Sequence, residues 1–205
     1  MKPISEPTKR RFVLLERLLS RYSEKTITSQ QIERLVGCTA AVARRDISSL
    51  DVRCGASNGY KVEELKQALE KVLNITNVQH KCCIVGLGKM GEALLKNTEL
   101  EESCFTIAAG FDSSVNRTEI LHSVFPLHPT TMLETVIKEE GIHFAILTVE
   151  PQEAQPLAER LSACGIKGII NYTPCVLSVS EHTKVENVSL LTSLETLSAI
   201  SNEDL

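Results

Sequence analysis

The sequence predicts an α/β protein with an N-terminal winged helix-turn-helix domain, a Rossmann-type doubly wound parallel sheet and a C-terminal helix. Three observations predict this fold class. A glycine-rich turn near residue 86 joins an apolar run to a helical segment. Apolar runs and amphipathic segments alternate after it. Short amphipathic segments with a glycine-containing turn precede it. We therefore expect domains at 1–76 and 77–187, followed by a terminal helix at 188–205.

Charge is distributed unevenly along the chain, although the formal net charge is only −4. Residues 1–75 hold 14 Lys and Arg against 9 Asp and Glu, whereas residues 76–205 hold 8 against 17. A basic portion joined to an acidic portion suggests two domains with different partners. The seven scattered cysteines lack zinc-ligand spacing and are interpreted as buried thiols in a reducing compartment. Since no apolar run is long enough to span a bilayer and the N-terminus has no secretory pattern, we expect a cytoplasmic protein without metal.

The first 50 residues have the pattern of three helices. Thr28 and Gln31 form a capping box at the start of the second helix, which Gly37 ends. Thr39 then caps a third helix, predicted over 40–50. Two helices joined by a glycine-containing turn are typical of a helix-turn-helix. An ordinary three-helix bundle with solvated arginines is the alternative.

The third helix carries most of the residues that we expect to contact DNA. Arginine suits this role because its planar fork binds phosphates and guanine edges with two hydrogen bonds. Residues 51–61 contain the turn signal Asn58-Gly59 and predict a short, weakly basic β-wing. A further amphipathic helix is predicted over 62–73. The candidate DNA-binding residues are Thr39, Arg44, Arg45, Ser48 and Arg53.

Residues 81–112 have the layout of a dinucleotide-binding β-α-β unit. In this fingerprint Gly86 allows the tight turn, Gly88 lets the backbone approach a pyrophosphate, and Gly91 lets the helix lie close to the sheet. Asp112 ends the second strand, where a carboxylate can accept the ribose hydroxyls of adenosine. It would also repel a 2′-phosphate, which favours NAD(H) over NADP(H). A Rossmann-like domain whose glycines serve only turn and packing is the alternative.

Further strands are predicted at 124–127, 144–149 and 168–172, with helices between them. Ligands bind at the carboxyl ends of parallel strands, so side chains there join the predicted pocket. For the four residues at the ends of the later strands, Thr148, Val149, Asn171 and Tyr172, ordinary loop packing is the alternative. The candidate cofactor-binding residues are Gly86, Leu87, Gly88, Lys89, Met90, Gly91, Asp112, Thr148, Val149, Asn171 and Tyr172.

The chain ends in a segment, 188–200, with a strongly apolar helical face. A face of this kind must be buried, either on its own domain or against a second subunit. We favour the second subunit. The residues of this face are Leu190, Leu191, Leu194, Leu197 and Ile200.

With these elements in this order, the sequence resembles the Rex family of redox-sensing transcriptional repressors. The resemblance rests on TSQQIERLVGCTAAVARRDISSL, GYKVEEL, VGLGKMGEALL, AAGFD, GIHFAILTVEPQEAQ, ACGIKGIINYTP and VENVSLLTSLETLS. It implies a homodimer that binds a palindromic DNA operator through its winged-helix domains and NAD(H) through its Rossmann domains. It also implies a C-terminal helix exchanged between subunits, and release of the DNA by NADH. Arg44 and Arg45 match the basic pair of the family's recognition helix. The family's NAD fingerprint is matched by Gly86, Gly88, Gly91 and Asp112.

Three features depart from the family pattern. Val42 stands where relatives commonly have Gln, which removes a polar group from the recognition helix. The wing lacks the relatives' Lys and Arg content around residues 55–59. Ser189 stands where relatives commonly have an Asp tied to the NADH-dependent switch. The operator sequence and the redox response are therefore the properties in which this chain could differ from its relatives.

Three other functions compete with the repressor hypothesis. An NAD-dependent dehydrogenase would need a substrate domain and a proton shuttle, but no such domain follows and the histidines are isolated in sequence. A nucleotide or coenzyme A binding module without DNA affinity would not need the basic N-terminal portion. A thiol-based redox sensor would rely on Cys38 beside the third helix, but the sequence shows no resolving cysteine for it.

Overall fold

The computed structural model describes residues 4–50, 55–56, 59–74, 79–96 and 103–201, with residues 55–56 described by their backbone. The chain divides into two compact units, Met1–Val78 and Gln79–Leu205. Among the described residues, no helix has both the length and the apolar character required to cross a membrane.

The first unit combines helices with a small antiparallel sheet in the order β1-β3-β2. Its hairpin, β2–β3, follows the third helix, which is the arrangement of a winged helix-turn-helix and confirms the predicted fold class. The elements are α1 (Glu6–Leu19), β1 (Thr26–Ile27), α2 (Ser29–Val36), α3 (Ala40–Ser48), β2 (Gly55–Ala56), β3 (Gly59–Lys61) and α4 (Val62–Leu73).

Local sequence signals set the helix boundaries in this unit. The capping box at α2 is present, since Thr28 Oγ1 accepts from the Gln31 backbone N–H and the Gln31 side chain accepts from the Thr28 N–H. Gly37 ends α2 in the left-handed conformation, with φ of 70°. Helix α3 ends at Ser48, two residues before the predicted end, because Ser49 closes it with a tight turn onto the Asp46 carbonyl. Apolar faces of the helices meet in one core that includes Phe12, Leu15, Ile32, Ile47, Leu65 and Leu69.

The second unit is built on a six-stranded parallel sheet in the order β6-β5-β4-β7-β8-β9. Counted within this unit, the order is 3-2-1-4-5-6, which is the doubly wound Rossmann arrangement predicted from the sequence. The elements are β4 (His80–Val85), α5 (Lys89–Leu95), β5 (Phe105–Asp112), α6 (Val115–Ile120), β6 (Leu127–Pro129), a 3-10 turn (Thr130–Met132), α7 (Leu133–Glu140), β7 (Phe144–Leu147), α8 (Pro151–Ala163), β8 (Gly168–Asn171), β9 (Lys184–Asn187) and α9 (Leu190–Ser201).

Two strands of this sheet differ from the sequence prediction. The strand predicted at 124–127 lies instead at Leu127–Pro129, paired with Gly110–Asp112 of β5, and Val124 is 94% exposed. An edge strand can contain Pro129 because no neighbour on its outer side needs the missing N–H. Strand β9 was missed because its sequence, KVEN, has no apolar run and lies at the opposite, half-solvated edge.

Candidate dinucleotide site and recognition helix

The glycine-rich turn lies between β4 and α5, at the point where the strand order of the sheet reverses. Strands β5 and β7 flank β4, and backbone hydrogen bonds join β5 to the start of the turn and the residue after β7 to the last residue of β4. Gly86 N–H donates to the Phe111 carbonyl oxygen at 2.8 Å, and Thr148 N–H donates to the Val85 carbonyl oxygen at 2.8 Å. Doubly wound sheets bind ligands at such a switch point. The fold therefore puts the predicted glycines in the predicted crevice.

The fold alone explains two of the three fingerprint glycines. Gly86 has φ of 95°, and a Cβ atom added there would lie 2.8 Å from the Thr148 carbonyl group. A Cβ atom at Gly91 would overlap the Gly86 carbonyl oxygen. Both positions must be glycine for the turn to close against α5 and β7, whether or not a ligand binds.

Gly88 is different, because nothing in the protein requires it to be glycine. Its φ of −65° and ψ of −164° are open to any residue. The nearest atom to an added Cβ would be Arg117 Nη1, at 4.0 Å. The missing side chain thus leaves open space beside the turn, as the close approach of a pyrophosphate to the backbone requires. The residues present therefore fit a bound dinucleotide.

Of the remaining residues of the turn, one has a buried side chain and two have exposed side chains. Leu87 is 1% exposed and packs with Ile84 and Ile146, so its side chain belongs to the core. Lys89 and Met90 begin α5 with exposed side chains, Met90 being 43% exposed. These two side chains can reach a ligand at the crevice, whereas Leu87 can contribute only backbone atoms.

Asp112 lies at the end of β5, as predicted, but its carboxylate already accepts several hydrogen bonds. One oxygen accepts from the Leu87 N–H at 2.7 Å and from Arg117 Nη1 at 3.3 Å, and the other accepts from the Ser114 N–H at 2.8 Å. The side chain is only 5% exposed, so these donors replace its lost hydration. Asp112 therefore ties the glycine turn to β5 in addition to any contact with ribose. Arg117 was not predicted from the sequence, where the only signal was a basic residue five positions after the strand-ending acid.

Thr148 and Val149 follow β7 and shape the same turn. Thr148 Oγ1 donates to the Gly86 carbonyl oxygen at 2.6 Å and also lies 3.3 Å from the Val85 carbonyl oxygen. Val149 Cγ1 lies 2.7 Å from the position of an added Gly86 Cβ. Both residues follow β7 as predicted; Thr148 holds the turn by its hydrogen bond, and Val149 occupies the space beside Gly86.

Asn171 ends β8, Tyr172 directly follows it, and the two side chains have contrasting environments. Asn171 is fully buried, and its amide nitrogen donates to the Cys175 carbonyl oxygen and to Asn187 Oδ1. Its amide oxygen accepts from the backbone and hydroxyl of Thr173. Asn171 therefore stabilises the turn after β8, whereas Tyr172 is 36% exposed. Contact of either residue with a cofactor stays a prediction.

Helix α3 presents two arginines on its outer face. Arg44 and Arg45 are both exposed, and Arg44 Nη1 donates to Ser29 Oγ at 3.0 Å. Thr39 and Ser48 are also exposed, but their hydroxyls bond to α3 itself, Thr39 as the N-cap and Ser48 as a donor to the Arg44 carbonyl oxygen. The guanidinium groups are thus the main polar groups that α3 offers to a partner. Arg53, the fifth predicted DNA contact, lies outside the described residues.

An ion pair on the inner face of α3 holds this helix against α1. Asp46 is 6% exposed, and it accepts from Arg11 Nε at 2.6 Å and from Thr8 Oγ1 at 3.2 Å. The hydrogen bond to Asp46 raises the pKa of Arg11. Glu33 also accepts from the Ala40 N–H at the start of α3, at 3.1 Å. The Asp46–Arg11 pair was not predicted from the sequence, because an Asp beside two arginines looks like part of a solvated charged face.

The buried cysteines do not favour thiolate chemistry. Burial raises the pKa of Cys82 to about 11, and it also raises the pKa of Cys83 and of Cys164. A thiol with a raised pKa is a poor nucleophile at neutral pH. Cys38, which the thiol-sensor hypothesis invoked, is half-buried against the apolar core of the first unit.

The predicted apolar face of α9 is exposed on the chain. Leu190, Leu191, Leu194, Leu197 and Ile200 are 60–77% exposed. Ser189 caps the helix by accepting from the Thr192 N–H at 3.1 Å. Five large apolar side chains on one short helix form a surface that a soluble monomer rarely leaves in water.

Comparisons with known proteins agree with this division of the chain. Residues 3–48 match a family described as "Putative DNA-binding protein N-terminus", and residues 77–175 match the family "CoA binding domain". The redox-sensing transcriptional repressor Rex of Levilactobacillus brevis is 34% identical over 179 residues, which cover 85% of this chain and 82% of that protein. Rex 1 of Thermotoga maritima is 32% identical over 199 residues, which cover 96% and 93%.

Solved structures extend the likeness to the whole described fold. The crystal structure of RSP in complex with β-NADH matches with a TM-score of 0.83 at 30% identity, over 100% of this chain and 97% of that one. RSP in complex with β-NAD+ and operator DNA matches with a TM-score of 0.86 at 29% identity, over 100% and 95%. RSP is itself described as a Rex-family repressor. On the identity and coverage of these relatives, the chain belongs to the Rex family of redox-sensing transcriptional repressors.

Proposed function

We propose that this chain is a DNA-binding transcriptional repressor that binds NAD(H) and is released from its operator by NADH. Gly88 carries the dinucleotide part of the proposal. Its neighbours Gly86 and Gly91 are required by the fold, but Gly88 has an ordinary backbone conformation and open space beside it. A ligand that approaches the backbone closely explains this glycine, and family membership identifies the ligand as a nicotinamide dinucleotide.

Each part of the chain has its own role in this proposal. Residues 1–76 bind DNA, residues 77–187 bind the dinucleotide, and residues 188–205 form the dimerisation helix. The basic charge of the first part suits a polyanionic partner, since neutralised phosphates supply most of non-specific DNA affinity. The relatives are named as transcriptional repressors, which favours this role over that of a dehydrogenase. Such a protein would act in the cytoplasm.

The proposed DNA contacts centre on Arg44 and Arg45. Both are exposed on α3, and the Asp46–Arg11 pair fixes the opposite face of that helix. Thr39 and Ser48 would contribute through their position on the same exposed surface, and Arg53 through the wing. A helix held by a buried ion pair can present its arginines to base edges and phosphates in one orientation.

A second copy of this chain is the proposed cover for α9. Burial of the exposed leucines of α9 against a second subunit would be favourable. A two-fold dimer would also match a palindromic operator. Exchange of α9 between subunits, as the family resemblance implies, would bury this face without a new partner.

The response to NADH requires a difference in affinity between two arrangements of the dimer. NADH releases DNA only if it binds the DNA-free arrangement more tightly than the DNA-bound one. A coupling free energy of about 1–3 kcal/mol would be typical, which corresponds to roughly 5–150-fold in operator affinity. Ser189 replaces an acid that the family uses near this switch, so the coupling strength is the property to measure.

The test is fluorescence anisotropy of a labelled palindromic duplex taken from the operator of a Rex relative. Protein is titrated without ligand, with NAD+ and with NADH. We expect binding that NADH weakens and NAD+ does not. Binding that ignores NADH would refute the proposed switch, and no binding with either ligand would refute the DNA-binding role for that operator.

Gly88→Ala is the matched variant for this experiment. Its added Cβ would meet no protein atom closer than 4.0 Å, so the thermal unfolding temperature without ligand should stay unchanged. We expect it to keep operator binding and to lose the NADH response, because the methyl group occupies the space that the pyrophosphate needs. A variant that still responds to NADH like the wild type would remove Gly88 from the site.

A further inference from the structure

Arg117 adds a positive charge to the part of the crevice where the adenosine ribose would bind. It lies on α6, directly after β5, and its Nη1 atom is 3.3 Å from Asp112 Oδ2. The same atom is the nearest one to the open space beside Gly88. The side chain is 49% exposed, so its guanidinium also faces solvent and can move toward a ligand. Neither the fingerprint nor its strand-ending acid accounts for a cation in this position.

Asp112 therefore does not act as an isolated negative charge. Its Oδ2 atom accepts from both the Leu87 N–H and Arg117, and its Oδ1 atom accepts from the Ser114 N–H. One carboxylate paired with one guanidinium carries no net charge, so the repulsion that normally excludes a phosphate from the ribose is largely cancelled. The two ribose hydroxyls also cannot both take Oδ2 while its two present donors remain, since a carboxylate oxygen offers about two acceptor sites.

The loop between Asp112 and Arg117 adds further donors. Ser113 and Ser114 are both exposed, and their hydroxyls lie on the short connection between the acid and the arginine. Hydroxyls and a planar guanidinium are the groups that bind a phosphate ester most directly. The strand end thus combines a neutralised acid, a half-exposed cation and hydroxyl donors in six consecutive residues.

We infer that Arg117 lets this site accept a dinucleotide whose adenosine ribose carries a phosphate ester, so that NADPH binds as well as NADH. Arg117 leaves Asp112 and pairs with the phosphate, while the Leu87 and Ser114 N–H groups continue to satisfy the carboxylate. With NADH, Arg117 stays near Asp112. The inference rests on the proposed function, because it concerns the same dinucleotide site, and it differs from the expectation that Asp112 favours NAD(H) over NADP(H).

The test compares NADH and NADPH, which differ only by the 2′-phosphate. Binding of each is followed by its own fluorescence on titration with the full chain, for the wild type, Arg117→Ala and the control Lys138→Ala on the exposed face of α7. We expect the wild type to bind NADPH within about tenfold of NADH. Arg117→Ala should weaken binding of NADPH by about tenfold or more and binding of NADH by less than about threefold, since only NADPH carries the 2′-phosphate. Lys138→Ala should change neither.

The outcomes separate this inference from the proposed function. If NADH binds but NADPH is more than about 100-fold weaker in the wild type, or if Arg117→Ala weakens both ligands equally, the inference is overturned and the NADH site stands. If neither ligand binds, the proposed function fails as well. Competition by coenzyme A, which carries a 3′-phosphate, separates the two ester positions: competition lost in Arg117→Ala supports a phosphate-binding role for Arg117 and extends it to the 3′-phosphate.

Discussion

Helix α3 and the glycine turn after β4 differ in how they combine stability with the proposed binding. On α3 different residues serve the two purposes, whereas at the turn the same residues serve both. On α3, Arg44 and Arg45 are exposed, while Asp46 on the inner face holds the helix to α1. At the glycine turn the residues of the proposed site are also structural, because the Leu87 N–H bonds to Asp112 and the Gly86 carbonyl oxygen accepts from Thr148. Substitution should therefore separate folding from function on α3 more easily than at the turn.

Gly91→Ala should have the largest effect of any single substitution in these two regions. Its Cβ would overlap the Gly86 carbonyl oxygen, which is backbone and also accepts the Thr148 hydroxyl. We expect a loss of about 3 kcal/mol or more in unfolding free energy, together with the loss of NADH binding. Urea unfolding and NADH titration would measure both. Retention of wild-type stability would contradict the tight packing of α5 on this turn.

Asp46→Ala tests the structural half of α3. Removal of the acid leaves Arg11 with an unpaired charge in a partly buried position, and Thr8 loses its acceptor. We expect the unfolding free energy to fall by about 2–4 kcal/mol, below the cost at a fully buried pair because Arg11 is 25% exposed. Urea unfolding, monitored by circular dichroism, measures this change in unfolding free energy. A change under about 0.5 kcal/mol would mean that the pair does not hold α3.

Arg44→Ala and Arg45→Ala test the proposed DNA contacts on the outer face of α3. Each should weaken operator binding by about tenfold, with no change in NADH affinity or in thermal stability, because both side chains are exposed. Anisotropy titrations with the palindromic duplex measure the operator affinity. Lys71→Ala on α4, an exposed residue outside the predicted contact surface, is the control of like charge. Wild-type operator affinity in both arginine variants would remove α3 as the recognition helix.

Ser189→Asp should have the smallest effect and tests the link between the two units. Both residues are good helix N-caps, so the stability of α9 should stay within about 0.5 kcal/mol of the wild type. If the family's acid strengthens the switch, the NADH-dependent loss of operator affinity should grow by about fivefold, or about 1 kcal/mol. The ratio of operator affinities with and without NADH measures it. An unchanged ratio would show that Ser189 is not what sets the coupling.

Sequence patterns predicted the features that depend on local chemistry. The Thr28–Gln31 capping box, the left-handed Gly37 and the helix over 62–73 were confirmed because neighbouring residues alone determine them. The doubly wound sheet was predicted from the alternation of apolar runs and helices. Strand β6 was displaced and β9 was missed because edge strands bury little apolar surface and so carry little sequence signal.

Several features that were not predicted from the sequence depend on contacts between distant residues. The Asp46–Arg11 pair joins residues 35 positions apart, and the Asp112–Leu87 bond joins residues 25 positions apart. Asn171 was predicted as a ligand contact because it lies at the carboxyl end of a strand, but its burial and its four hydrogen bonds appear only in the fold. Sequence identified the strand ends that form the site, and the fold showed which atoms there are already bonded.

The open space beside Gly88 has a genetic consequence. A substitution at Gly91 should give a loss-of-function allele, because the lost unfolding free energy leaves less folded repressor, and the regulated genes would be expressed without control. A substitution at Gly88 should leave a folded, operator-binding protein that no longer detects NADH, which is a super-repressor allele. In a dimer such an allele would be dominant, since one insensitive subunit can keep a mixed dimer on the DNA. Two glycines three residues apart would thus produce opposite phenotypes.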